Sequence, residues 1–156
     1  MTIQPFMSTV SGSLDSKGRV CIPAPYRQIL SAQNTSGAYV CPSFFESALE
    51  GFGQSVLEAL HARLSSLDPF TSPAHDDTAY AIISRTQLLP ADEQGRVRLP
   101  DAMIEHAGLK DKIIFVGMAQ KFQIWDAERF VPIDAERIAR MRAQREREIA
   151  KLGGGT

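Results

Sequence analysis

The stretch Asp15-Ser16-Lys17-Gly18-Arg19-Val20-Cys21-Ile22-Pro23 returns further along the chain as Asp92-Glu93-Gln94-Gly95-Arg96-Val97-Arg98-Leu99-Pro100. Six positions agree in identity or type, in the same order and without a gap. Chance is a poor explanation of such a match. The chain is therefore predicted to contain two copies of one structural unit.

Each copy reads as a tight turn followed by a strand. Asp15 and Asp92 supply the acceptor side chain that opens such a turn, and Gly18 and Gly95 tolerate a positive φ at its fourth position. The strands end at the prolines, which cannot donate to a ladder. Alternation in the strands predicts that Arg96 and Arg98 lie on the face opposite the core. The predicted core residues are Val20, Ile22, Val97 and Leu99.

Similar elements follow the turn in both halves. Each unit is predicted to continue as a short helix, a strand, a second strand of a hairpin and a longer helix. The short helices are expected over 24–30 and 101–107, with Gly108 as a left-handed stop. The strands are expected at 38–41, 48–52, 113–116 and 122–125, and the longer helices over 54–67 and from 127 onward.

Segments outside the two units complete the predicted organisation. Ser72 and Pro73 are a good N-cap and first position for a connecting helix that runs to about Ser84. The last segment alternates charges above a sparse apolar stripe, which is typical of a helix with an exposed face, and its glycines are expected to fray. The expected divisions are 8–67 for the first repeat, 68–85 for the connecting helix, 86–133 for the second repeat and 134–156 for the C-terminal helix and disordered tail.

The bulk composition is that of a folded globular protein, with 44% hydrophobic and 22% charged residues in 156. Cys21 and Cys41 stand in apolar stretches and are interpreted as buried core thiols. The chain shows neither a signal peptide nor an apolar run of about 18 residues, which favours a cytoplasmic protein without a membrane partner. The formal net charge is -1.

The repeated Asp-x-x-Gly-Arg motif, together with Gly117-Met-Ala-Gln-Lys-Phe-Gln-Ile-Trp125, resembles the MraZ family of bacterial regulators from about Ser11 to Ile138. The halves of that family resemble the AbrB type of DNA-binding domain. The resemblance implies a mainly β fold, a pseudo-two-fold swapped-hairpin β-barrel with helices outside it. It also implies a ring-shaped homo-oligomer in the nucleoid that represses the family's own division and cell-wall gene cluster by binding direct repeats in its promoter. By motif match, Asp15, Arg19, Asp92 and Arg96 fall on the family's functional positions.

Two departures from the family pattern bear on the fold. Glu50-Gly51-Phe52-Gly53 stands where the second half has an aromatic strand, so pairing in the first hairpin is left open. Pro90 interrupts a strand just before the second motif and is expected at a sheet edge.

Arg19 and Arg96 are the first candidates for contact with double-stranded DNA. A guanidinium on a rigid turn can pair with guanine O6 and N7 or clamp a phosphate. The alternative is an internal ion pair with the turn's own aspartate. Lys17 would serve a backbone phosphate, and Arg98 could extend the second patch or be an ordinary exposed strand residue. Arg27 is read as a salt-bridge partner.

Catalysis is not indicated. His61, His75 and His106 lack metal-ligand spacing, and no phosphate loop, dinucleotide fingerprint or nucleophile elbow is present. No enzyme activity, metal, cofactor or small-molecule substrate is therefore expected. The arginines of the C-terminal segment alternate with glutamates and are interpreted as a solvated or subunit-contacting face.

A rival reading belongs to a different class of protein. The same barrel could serve an oligomeric interaction module, antitoxin-like or scaffold, that binds protein instead of DNA. The two readings differ in what Arg19 and Arg96 do.

Overall fold

A computed structural model describes residues 4–153, which form eight strands and five helices. The strands are β1 (Thr9–Ser13), β2 (Arg19–Cys21), β3 (Ala38–Pro42), β4 (Leu49–Phe52), β5 (Gln87–Leu89), β6 (Arg96–Arg98), β7 (Lys112–Met118) and β8 (Lys121–Asp126). The helices are α1 (Ala24–Ala32), α2 (Gln54–Ser65), α3 (Pro73–Ala81), α4 (Asp101–Ala107) and α5 (Ala127–Gly153), and a short 3₁₀ turn follows α3 at Ile83–Arg85.

The strands of the two halves interleave. Six of them form one antiparallel sheet in the order β1-β7-β8-β4-β3-β5, and β2 pairs with β6 in a separate two-stranded ribbon. The strands β1 to β4 of the first half correspond in turn to β5 to β8 of the second. Replacing each strand by its counterpart gives the same strand order in reverse. The first strand of each unit thus pairs with the third strand of the other unit. This exchange of hairpins about a pseudo-two-fold axis confirms the expected β fold with helices.

The predicted core residues of the repeated motif are buried. Val20 and Val97 face each other across the ribbon with 0% and 1% exposure, and Ile22 and Leu99 are equally hidden. Four rings from both halves pack beside them, with neighbouring centroids 5.1 to 6.3 Å apart. Burying side chains of this size contributes roughly 1.5–3 kcal/mol each. These rings belong to Phe6, Tyr26, Phe115 and Phe122.

The first hairpin is fully formed, which settles the pairing left open by its sequence. β4 pairs with β3 on one side and with β8 on the other. Gly51 lies opposite Phe122, and a Cβ at Gly51 would collide with the Phe122 ring. The glycine is thus the residue that lets an aromatic side chain from the other half lie across this strand.

The helix boundaries follow the expected signals with small shifts. The Ser72 hydroxyl accepts from the His75 N–H at 3.2 Å, and Pro73 is the first residue of α3. The helix ends at Ala81 and gives way to the 3₁₀ turn, short of the expected Ser84. Gly108 adopts the left-handed conformation with φ 58°. Pro90 directly follows β5, an edge strand, as expected.

The two cysteines differ. Cys41 is buried as predicted, and burial is the first cause of its raised pKa. Cys21 is exposed, so its interpretation as a core thiol is wrong. In the ribbon, alternation sends Val20 to the core and leaves Cys21 on the outer face. The apolar neighbours of Cys21 in the sequence suggested that it is buried. Only every second residue of a strand faces the core, however, and Cys21 is not one of these.

The described residues divide into two compact units, 4–126 and the C-terminal helix α5. It spans 27 residues and begins at Ala127. The apolar side chains predicted to form a sparse stripe, Ile138, Met141, Ile149 and Leu152, are all exposed. The tail expected to fray lies mostly outside the described residues, since 154–156 fall beyond them. Within 4–153, none of the helices combines the length and the apolar character that crossing a bilayer requires.

Candidate nucleic-acid interface

The first Asp-x-x-Gly-Arg segment is a closed turn built around one carboxylate. Asp15 Oδ1 accepts from the N–H groups of Lys17 and Arg19, both at 2.9 Å, and Oδ2 accepts from Arg19 Nε at 2.8 Å. The main chain adds two bonds, Gly18 N to Asp15 O and Asp15 N to Arg19 O. Gly18 has φ 76°, a conformation that favours glycine.

The second segment repeats this geometry bond for bond. Asp92 Oδ1 accepts from Gln94 N at 3.0 Å and Arg96 N at 2.9 Å, and Oδ2 accepts from Arg96 Nε at 2.8 Å. Gly95 has φ 81°. Two turns of unlike sequence at their middle positions thus reach one structure, because the aspartate and glycine that define it are the same.

The two turns are locked to each other through the ribbon. Ile22 N donates to Gly95 O at 3.0 Å, and Leu99 N donates to Gly18 O at 2.8 Å. The Arg27 side chain lies against Gly95, and its Nε donates to Ile22 O at 3.0 Å. Arg27 therefore braces the ribbon through a backbone carbonyl, where a salt bridge had been predicted.

The outer face of the ribbon carries three arginines, and this face is the candidate interface. Arg19 pairs with Arg98 across the ribbon, and Cys21 pairs with Arg96. Side chains of one face alternate with those of the other, so these four residues share the face turned away from Val20 and Val97. Lys17 is exposed at the first turn, and Gln94 at the second.

The ion pairs considered as an alternative are present in both copies. Arg19 and Arg96 each bind their own aspartate at 2.8 Å, with the arginine side chains 28% and 35% exposed. Each arginine uses its Nε–H for the aspartate, but a guanidinium has five N–H donors. The ion pair therefore orients the guanidinium and leaves N–H groups for other acceptors. Internal pairing and contact with a ligand are compatible.

Hydrogen bonding also fixes the charge of both carboxylates. The pKa of Asp15 lies below its ordinary value, first because the Arg19 N–H donates to it, and then through the Arg19 guanidinium and the Lys17 N–H. The pKa of Asp92 is lowered in the same way, first by the Arg96 N–H. Both turns therefore keep an ionised aspartate at neutral pH.

Two residues of this face are not among the interface residues that the sequence predicts. Cys21 and Gln94 approach each other, with Cys21 Sγ 3.4 Å from the Gln94 carbonyl oxygen. Aligning the two copies could have indicated both, because Cys21 stands where the second copy has Arg98, and Gln94 where the first has Lys17.

His75 and His106 contact residues outside this face. His75 Nδ1 lies 3.0 Å from Asp76, and His106 Nε2 lies 3.2 Å from the Glu46 carbonyl. Over residues 4–153, no group of three or more His, Cys, Asp or Glu side chains could hold a metal ion.

Comparison with known proteins places the chain in a family. A family model described as "MraZ protein, putative antitoxin-like" matches residues 82–152. A protein of Azorhizobium caulinodans named Transcriptional regulator MraZ is 38% identical over 151 residues, covering 97% of this chain and 93% of the relative. The chain belongs to the MraZ family.

Two further relatives with the same name also match the chain across both repeats. The protein of Xanthobacter autotrophicus is 38% identical over 141 residues, covering 90% of this chain and 89% of its own length. That of Gluconacetobacter diazotrophicus is 38% identical over 148 residues, covering 93% and 90%. This agreement confirms the MraZ resemblance seen in the sequence.

Proposed function

We propose that this MraZ family member is a sequence-specific DNA-binding transcriptional regulator. The observation that carries the proposal is the outer face of the β2–β6 ribbon, where three arginines stand on a rigid frame between two locked turns. Relatives bearing the name Transcriptional regulator MraZ support it. No catalytic role or cofactor forms part of the proposal.

The ribbon has the shape and chemistry that a DNA groove accepts. A two-stranded β-ribbon fits the major groove, where arginine pairs with the O6 and N7 atoms of guanine. Arg19 and Arg96 are held in place by their aspartates, so less side-chain entropy is lost when they bind. Arg98 extends the same surface, and Lys17 at the first turn suits a backbone phosphate.

Weak overall charge argues that the protein acts as an assembly. With a net charge of -1, one subunit neutralises few phosphates, and affinity rises with the number neutralised. We propose a homo-oligomeric ring that presents several ribbons to direct repeats in the promoter of its own division and cell-wall gene cluster. We further propose that this binding represses the gene cluster, and that it takes place in the cytoplasm, at the nucleoid.

The decisive experiment removes both turn arginines. The double variant Arg19→Ala and Arg96→Ala should lose retardation of the DNA upstream of its own gene, because both oriented guanidinium groups are gone. Its solution mass should stay that of the wild type. A variant lacking two exposed arginines outside the ribbon, Arg63→Ala with Arg85→Ala, controls for the loss of two charges and should bind as before.

The rival class predicts the reverse. For an oligomeric interaction module, antitoxin-like or scaffold, DNA retardation would be absent in the wild type or unchanged in the double variant. Unchanged retardation by the double variant, with the mass preserved, would reject the ribbon as the DNA-binding surface.

A further inference from the structure

The two ends of the ribbon differ in charge although their backbones match. The first turn and the strand end beside it hold Lys17, Arg19 and Arg98 against one acidic residue, Asp15, since Arg98 pairs with Arg19. The second end holds Arg96, together with the Arg27 side chain that lies against Gly95, opposite Asp92 and Glu93, and it has neutral Cys21 in the place of an arginine. The first end, with its larger surplus of positive charge, therefore attracts phosphates more strongly than the second.

Gln94 is held in one orientation at the second end. Arg96 Nε binds Asp92 Oδ2 at 2.8 Å, and Arg96 Nη2 donates to Gln94 Oε1 at 2.8 Å. A guanidinium can only donate, so the amide atom that faces it is the oxygen. The exposed Gln94 amide can therefore still donate both N–H groups of Nε2 and accept one more hydrogen bond at Oε1.

The first end has no equivalent arrangement. Arg19 makes the same Nε bond to Asp15, but among residues 4–153 its Nη groups have no protein partner. Lys17 stands where Gln94 does, and a lysine cannot accept the bond that Arg96 gives. The chain of contacts Asp92–Arg96–Gln94 therefore belongs to the second copy alone within the described residues.

We infer that Gln94 is a specificity-determining residue that reads an adenine in the major groove. Arg96, besides contacting DNA as proposed above, positions Gln94 through its Nη2 bond, while Lys17 at the first end grips phosphate. A glutamine amide pairs with adenine through both N6 and N7, donating to N7 and accepting from the N6 amino group. The bond from Arg96 leaves both of these functions available. This inference rests on the proposed function, because it assigns a base contact to the same ribbon.

The test compares two DNA duplexes, the promoter of the chain's own gene and a shuffled duplex of equal length and composition. Gln94→Ala should reduce the ratio of the two affinities by about 5- to 150-fold, the loss expected for one bidentate base contact. Its affinity for the shuffled duplex should stay that of the wild type. Gln120→Ala, which removes an exposed glutamine from another turn, is the matched control and should leave the ratio unchanged.

Two further variants separate the ends of the ribbon. Lys17→Ala should weaken binding to both duplexes alike and reduce the salt dependence, because it removes a phosphate contact. Arg96→Lys keeps the charge but loses the planar group that holds Gln94, so base-pair substitution should find the same A·T position relaxed as in Gln94→Ala. A thermal melt of each variant establishes that the fold is intact.

The outcomes are distinct. If Gln94→Ala keeps the ratio, or weakens both duplexes equally, the base-reading assignment is wrong. Substituting each promoter base pair in turn should place the relaxed position of Gln94→Ala at an A·T pair, and a relaxed G·C pair would overturn the choice of adenine. A wild type without preference for its promoter would contradict the proposed function itself.

Discussion

Asp15 and Asp92 each accept three hydrogen bonds from their own turn. In each copy the aspartate side chain thus decides the shape of the segment around it. Of the residues between aspartate and glycine, Lys17 and Gln94 donate only a backbone N–H to the carboxylate, which any residue except proline can do. They are therefore free to differ, and Lys17 and Gln94 give two identical turns different chemistry. Shape and specificity are encoded by different residues of one motif.

The lowered pKa of both aspartates predicts a pH dependence of stability. Because each folded-state pKa lies below the unfolded value of about 3.9, the carboxylates stabilise the fold above that pH, and the stabilisation is lost as pH falls through the folded-state pKa. The double variant Asp15→Asn and Asp92→Asn should have a lower melting temperature than the wild type at pH 7. The difference should shrink in strong acid.

Carboxyl NMR titration of the wild type gives the direct measurement. Both turn aspartates should titrate below the ordinary value of about 3.9. Titration of either turn aspartate at or above about 3.9 would contradict the assigned role.

Strand β4 shows how one element depends on a side chain from another. Its sequence, Leu-Glu-Gly-Phe, is a weak strand signal because glycine has no side chain to pack. The strand forms because it is paired on both sides and because the Phe122 ring covers Gly51. Local propensity is overridden here by a contact made across the two halves of the chain.

Gly51→Ala should consequently destabilise the protein by about 1–3 kcal/mol, the usual cost of overpacking a full core. Denaturant unfolding measures the loss. Adding Phe122→Leu should recover part of it, so that the double variant is more stable than the sum of the two single changes predicts. Strict additivity would show that the collision with Phe122 is not the cause.

The pseudo-two-fold axis of the six-stranded sheet passes between β4 and β8. Glu50 and Gln123 pair there in register, and Gln123 Nε2 donates to Glu50 Oε1 at 2.6 Å, with Lys121 Nζ 2.8 Å from the other carboxylate oxygen. Trp125 Nε1 donates to Gln123 Oε1 at 2.8 Å. This largely buried polar network joins the two halves of the sheet.

The proposed assembly predicts how its operator is spaced. Subunits that present ribbons on one side can bind together only if the DNA repeats lie on one face of the duplex, about one helical turn or 10 bp apart. Inserting about 5 bp between two repeats should therefore sharply weaken retardation, and inserting about 10 bp should weaken it less. Equal binding to both spacings would contradict simultaneous engagement by one oligomer.

The sequence by itself determined the turns, the buried faces of the ribbon strands and the helix ends at Ser72 and Gly108. These follow from local chemistry: aspartate and glycine define the turn, alternation defines the strand, and capping groups define the helix. Only the tertiary structure decided which strands pair. The register that sets Arg98 beside Arg19, and Cys21 beside Arg96, is held by backbone hydrogen bonds common to all residues, so no local pattern encodes it.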